Sequence, residues 1–265
     1  MTRPPPSVAK DSKEKRMDGA GHITGVTTIM PLRNVMLLAE LIERVRSRDP
    51  DLPGMACFSG PSGLGKTKAA AWSANEYRCY HVEMKESWSA KKFVAKIVEA
   101  MGMKPSGTIG DMVDQAGEEL AKSGRPLLLD EAHLLAKPRL IGIVRDLYES
   151  SAGGTVVLIG EEMLPQTLAR WERVHNRMLD WVQAQPCDLR EVALLAQLKC
   201  PDIRLSEDVL KHVLEQSQAR ARRIVVSLSQ ISEHALKADK TAVGIADIAD
   251  LKLFTGEAPR PRGNI

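Results

Sequence analysis

Residues 57–72 read CFSGPSGLGKTKAAAW, three glycines and a proline followed by one long cation and one hydroxyl. This stretch constrains the chain more than any other, because it strips side chains from several consecutive residues between an apolar run and an alanine-rich one. Bare backbone followed by Lys66 and Thr67 is the pattern of a cradle for an anion. Gly60-Pro61-Ser62-Gly63-Leu64-Gly65-Lys66-Thr67 fits G-x-x-x-x-G-K-T, the P-loop. Its backbone N–H groups, with the N-terminus of the helix that follows, converge on phosphate oxygens. Lys66 is placed to reach the outer phosphates, and Thr67 to offer its hydroxyl to magnesium.

From Met55 onward, short apolar runs alternate with helical patterns. The runs are MACFSG, CYHVEM, PLLLDE, TVVLIG and, less distinctly, DWVQAQPCDL. Helical spacing follows Lys66 and recurs over 90–101, 109–122, 139–150 and 163–178. Buried strands alternating with helices predict a parallel sheet covered on both faces, with right-handed crossovers. An earlier helix is predicted from Val35, Leu38, Leu41, Ile42 and Val45, ended by Pro50. After Leu189 the pattern turns helical throughout: LREVALLAQLK, SEDVLKHVLEQSQ, ARRIVVSLSQISEHALKA and GIADIADLKLF, with Ser206 as a helix start. The expected organisation is a Pro-rich, basic and disordered tail over 1–22, a nucleotide-binding domain over 23–189, an all-helical lid over 190–254 and a flexible end over 255–265.

A phosphate cradle needs a metal-holding acid from a neighbouring strand. RPLLLDEAHLL supplies Asp130 and Glu131 at a strand's C-terminal end, where open α/β sheets place ligands. Asp130, with Thr67, suits magnesium; Glu131 suits polarising the water that attacks the γ-phosphate. Together the two motifs predict hydrolysis of a nucleoside triphosphate. DEAH also occurs in helicases built from two facing sheet domains, and the chain has residues for one.

No run approaches the roughly 20 apolar residues of a membrane span. The N-terminus lacks a secretory apolar segment, so an intracellular, cytoplasmic protein is expected. Cys57, Cys79, Cys187 and Cys200 form no C-x-x-C pair, which favours reduced thiols over zinc or disulfides. A net charge of +3 permits a nucleic-acid partner only if the cations are locally grouped.

One P-loop sheet followed by a helical lid resembles the AAA+ ATPases over about residues 30–254. That resemblance implies ATP as the nucleotide, a five-stranded sheet and further parts. The fourth strand, TVVLIG, is followed by Glu161 in the place of the family's polar sensor. ARWERVHNRMLDW precedes the fifth strand, where the family puts an arginine that reaches the neighbouring subunit's γ-phosphate; Arg177 fits best, with Arg173 and Arg170 as alternates. In ARARRIVVSL, Arg222 resembles the lid arginine that touches phosphate in cis, with Arg223 beside it. A trans arginine makes hydrolysis depend on oligomerisation.

The order GPSGLGKT, LLLDEAHLL, VVLIGEE, NRM, ARRI resembles, within that class, the phage Mu-type transposition protein B and its relatives. This implies ATP-dependent filaments on duplex DNA and delivery of target DNA to a transposase. The founding member carries a sizeable N-terminal DNA-binding domain, whereas here a short tail precedes the ATPase module, so DNA contacts are expected on the module itself. Lys85, Lys91 and Lys92 after the second strand, and Lys137 and Arg139 after the third, are the candidates, with Trp88 expected in the core. Binding through such contacts is salt-sensitive and nearly blind to sequence. The competing expectations are a replication initiator or helicase loader, and a signalling ATPase that does not use DNA.

Overall fold

The computed structural model describes residues 32–253; the tails expected at 1–22 and 255–265 lie outside them. Five parallel strands form one sheet: β1 Met55–Ser59, β2 Tyr80–Glu83, β3 Leu127–Asp130, β4 Val156–Gly160 and β5 Met178–Gln183, in the order β2-β3-β4-β1-β5. The three central strands are buried along their whole length, which is why they read as unbroken apolar runs. Edge strand β5 is half-buried, and its mixed sequence made it the least distinct of the five in the sequence.

The alternation of side chains sorts the core into two layers. Ala56, Phe58, Leu128, Val157 and Ile159 face α1 (Arg33–Arg46) and α2 (Lys66–Glu76). Met55, Cys57, Leu127, Leu129, Val156 and Leu158 face α3 (Ala90–Ala100), α4 (Ile109–Ser123) and α5 (Pro138–Ser150). Trp88 packs at the margin of this second layer, as its apolar bulk suggested. The result is an α/β sandwich with the sheet in the middle.

The single helix expected over 163–178 is broken. Leu164–Ala169 (α6) and Glu172–His175 (α7) are separated at Trp171, whose backbone leaves the helical region (φ −103, ψ 80), and Met178 already belongs to β5. This change of direction returns the chain to the start of β1, where Met55 N–H donates to the Arg177 carbonyl at 3.0 Å.

Three long helices follow: α8 Leu189–Lys199, α9 Glu207–Gln216 and α10 Ala221–Lys237. Val192, Val209, Val213, Ile224, Leu228 and Ile231 are fully withdrawn from water and make a core of their own. Each contributes about 1.5–3 kcal/mol by that withdrawal. Asp188 caps α8, and Glu191 reciprocates. The region is not all helix. Arg204–Leu205 (β6) and Ala242–Val243 (β7) pair in parallel, and the helix expected in GIADIADLKLF shrinks to a 3-10 turn over Ile245–Ile248. Ser206 precedes α9 as expected, but its hydroxyl makes no cap hydrogen bond.

Candidate nucleotide site

Strands β3, β4 and β1 are neighbours, so the segments leaving their C-terminal ends meet. After β1 the P-loop turns with Gly63 at φ 88 and Gly65 at φ 90, a region open to glycine but strained for other residues. Lys66 opens α2, and its Nζ donates to the Gly60 and Pro61 carbonyls at 2.7 and 2.9 Å, folding the side chain over the loop it must serve. Burial lowers the Lys66 pKa, Arg222 lowers it further, and Glu131, Asp130 and Glu161 oppose the shift.

Asp130 is 1% exposed, and its Oδ1 accepts from the Glu131 N–H at 2.8 Å. Its other oxygen, Oδ2, is buried and accepts no hydrogen bond; His81 Nε2 on β2 stands 3.9 Å away, beyond hydrogen-bond reach. Burial raises the Asp130 pKa. His81, the Glu131 amide and the Thr67 hydroxyl outweigh it, so the carboxyl lies below its ordinary value. An ionised oxygen left without a partner beside Thr67 suits a divalent cation.

Glu131 adopts a left-handed backbone (φ 54, ψ 36), a conformation that costs a residue with a side chain about 1–3 kcal/mol. Burial and the Asp130 charge push its pKa up, as suits a base. The chain then enters a 3-10 turn, Ala132–Leu135. His133 Nδ1 lies 3.3 Å from the Glu131 carboxylate. Gly160 at the end of β4 lets that turn pass: a Cβ there would meet Leu164 Cδ2 at 2.8 Å and the His133 amide nitrogen at 3.2 Å.

The structure thus brings Gly60 to Thr67, Asp130, Glu131 and Glu161 to one edge. It adds the lid: the Arg222 amide donates to the Gly63 carbonyl at 3.0 Å, so the N-terminus of α10 rests on the P-loop. Arg223 bonds Gln218 at 2.5 Å. Arg177 is elsewhere. It stands at the opposite end of the sheet, ion-paired with Glu149 and bonded to the Arg173 carbonyl, while Arg170 and Arg173 are exposed nearby.

Lys85, Lys91, Lys92, Lys137 and Arg139 are all exposed, and among the described residues none of their side chains has an ion-pair or hydrogen-bond partner. They sit on the segments that leave β2 and β3. Those strands are adjacent and parallel, tied where Met84 N–H donates to the Asp130 carbonyl at 3.0 Å. Asn34, His81 and His133 were not singled out from the sequence. Asn34 carried a signal, being a polar residue inside the apolar face of α1, where it is 5% exposed.

A P-loop, a buried strand-end aspartate, an adjacent glutamate and a helical lid on a 2-3-4-1-5 parallel sheet define the fold of the P-loop AAA+ ATPases. Residues 48–168 match the model of the AAA domain family. A search of curated protein sequences finds no match. Among solved structures the chain is similar to the Aeropyrum pernix Orc1 protein in complex with DNA (17% identity, TM-score 0.60, covering 82% of this chain and 63% of that one). It is also similar to the Aeropyrum pernix ORC2 protein in ADPNP-ADP complexes (14%, 0.63, 82% and 65%). Cdc6p from Pyrobaculum aerophilum gives 15% identity and a TM-score of 0.64, over 89% and 71%. The chain spans 63% and 65% of the length of the two Aeropyrum proteins. At these identities the likeness is one of fold.

Proposed function

We propose that the protein is an ATP-dependent ATPase that assembles on duplex DNA, with little regard to sequence, and delivers that DNA to a transposase. The observation that carries the DNA part is the placement of Lys85, Lys91, Lys92, Lys137 and Arg139. These unpartnered cations lie on the same end of the sheet as the nucleotide site. One such set per protomer is weak, and repetition along an assembly sums it. The transposase is proposed from the motif order alone.

In this reading ATP is the substrate, gripped by the P-loop amides and Lys66, with Arg222 approaching from the lid. Thr67 and Asp130 would hold magnesium, which supplies charge neutralisation at the phosphates when bound. Glu131 orients the attacking water and takes its proton. Lys66 leaves the Gly60 and Pro61 carbonyls to meet the outer phosphates. Arg177, about 13 Å of strand away from the end of β1 that carries the P-loop, serves only a neighbouring protomer's nucleotide, after release from Glu149. Each complete site then needs two copies.

A second reading, a replication initiator or helicase loader, is favoured by the fold shared with the Orc1 and Cdc6 proteins. The test is a gel shift on random duplex with ATP, ADP or no nucleotide, followed by ATPase assays with a DDE-type transposase or a replicative helicase. ATP-dependent shifts and stimulation by the transposase support the first reading. Stimulation by the helicase, or preference for one defined sequence, supports the second. No ATP-dependent shift on random duplex overturns the first reading, and no stimulation by the helicase with no preferred sequence overturns the second.

A further inference from the structure

Asn34 joins parts of the molecule that are far apart in sequence. Its Nδ2 donates to the Leu64 carbonyl in the P-loop at 2.9 Å and to the Gln185 carbonyl at 2.8 Å; its Oδ1 accepts from the Gln185 N–H at 2.7 Å. Both donor hydrogens and the acceptor are used, the full capacity of a carboxamide short of one lone pair. Gln185 lies in the link between β5 and α8. Two residues on, Cys187 N–H donates to the Ala219 carbonyl at 2.9 Å; three residues beyond Ala219, Arg222 N–H returns to the Gly63 carbonyl at 3.0 Å. The bonds close a ring: Gly63 and Leu64, Asn34, 185–187, 219–222, and Gly63 again. Asn34 is the one side chain in that ring; every other link is backbone. Next to it, the Arg33 N–H donates to Glu191 at 2.7 Å, and the Arg33 guanidinium pairs with Asp188, both in the capping box of α8. The ring has little freedom to respond in only one part, because buried hydrogen bonds resist being left unmade.

We propose that Asn34 is a positioning residue that makes the P-loop and the lid one mechanical unit, so that nucleotide bound by the loop is felt at the lid hinge. The proposal rests on the P-loop binding nucleotide and deepens that reading. When the loop amides turn toward phosphate, the Gly63 and Leu64 carbonyls are fixed with them. Asn34 and the Arg222 amide pass that constraint to 185–187 and to the start of α10. The lid arginine Arg222 is thereby set over the loop only when the loop is ordered.

Amide hydrogen exchange of the full chain, with and without magnesium and ADP, tests this. In the wild type, ADP is expected to slow the P-loop amides and those of Gln185, Cys187 and Arg222 together, by about tenfold or more. In Asn34→Ala, ADP affinity falls by no more than about fivefold and the loop amides still slow, while the hinge response drops below about twofold. Two outcomes overturn the proposal: loop protection in the wild type without any at Gln185 and Arg222, or a hinge response in Asn34→Ala equal to the wild type's. If the variant does not fold, as judged by its thermal unfolding, the wild-type comparison alone decides. Absence of ADP protection at the wild-type P-loop would instead sink the nucleotide reading itself.

Discussion

The two ends of the sheet are built from the same strands and do different work. At the C-terminal end, β1, β3 and β4 deliver the P-loop, Asp130, Glu131 and Glu161 to one edge, and the lid closes on it. At the N-terminal end, the same β1 begins beside Arg177, whose guanidinium is neutralised by Glu149. One end is rich in unsatisfied capacity, with a partnerless Asp130 oxygen and a lysine resting on its own loop. At the other, Arg177 is paired within its own chain. Under the proposed function the contrast has a meaning: a single copy would hold most of a hydrolysis site and keep the remaining cation, Arg177, paired at the far end.

Arg177→Ala attacks that contrast directly. In the proposed reading it lowers turnover about a thousandfold, within the range of arginine fingers. Nucleotide binding by the isolated protomer, followed by fluorescent ADP, stays unchanged; loss of that binding instead would place Arg177's role in folding. Glu131→Gln is expected to lower turnover about 10²- to 10³-fold while ATP-dependent DNA binding persists. Mixing the two variants sharpens the comparison. About a quarter of head-to-tail interfaces in a random mixture pair an intact Glu131 with an intact Arg177. Turnover should therefore reappear on mixing, and a mixture as inactive as its parts would refute action in trans.

Lys66→Ala is expected to weaken nucleotide binding about 30- to 100-fold, and with it the nucleotide-dependent gel shift. Glu149→Gln, which releases Arg177, should change turnover only a few-fold and upward, because an exposed ion pair is worth little. The smallest effect concerns pH. Asp247 is held below its ordinary 3.8 by Lys240 and the Gly244 amide. The stability it contributes is present above that value and is lost as pH falls through the lower, folded one. A chain with Asp247→Asn should lose less lid stability than the wild type between about pH 4 and pH 2, measured by thermal unfolding.

Much of this was legible without a structure because the decisive residues are contiguous. Gly60 to Thr67 share one turn, and Asp130 and Glu131 are neighbours, so spacing alone marks the chemistry. The central strands announced themselves for a related reason: burial on both faces leaves no polar alternation to confuse the reading. What was hidden depends on neighbours distant in sequence. Nothing in 163–178 marks the break at Trp171, which exists because the chain must return to β1. GIADIADLKLF has helical spacing, yet the chain enters it straight from the pairing of Ala242–Val243 with Arg204–Leu205, and only Ile245–Ile248 turn. His81 faces Asp130 only because β2 and β3 lie side by side. Asn34 stands 30 residues from Leu64 and 151 from Gln185.

Local order, then, wrote the phosphate cradle, the acidic strand tip and the alternation of strand and helix into the sequence, since each follows from the chemistry of a few consecutive residues. Tertiary structure decided which strand ends meet, which arginine faces away and what ties the loop to the lid. Those outcomes depend on how whole elements pack, and a hydrogen bond across 151 residues has no counterpart in the composition of either partner's neighbourhood.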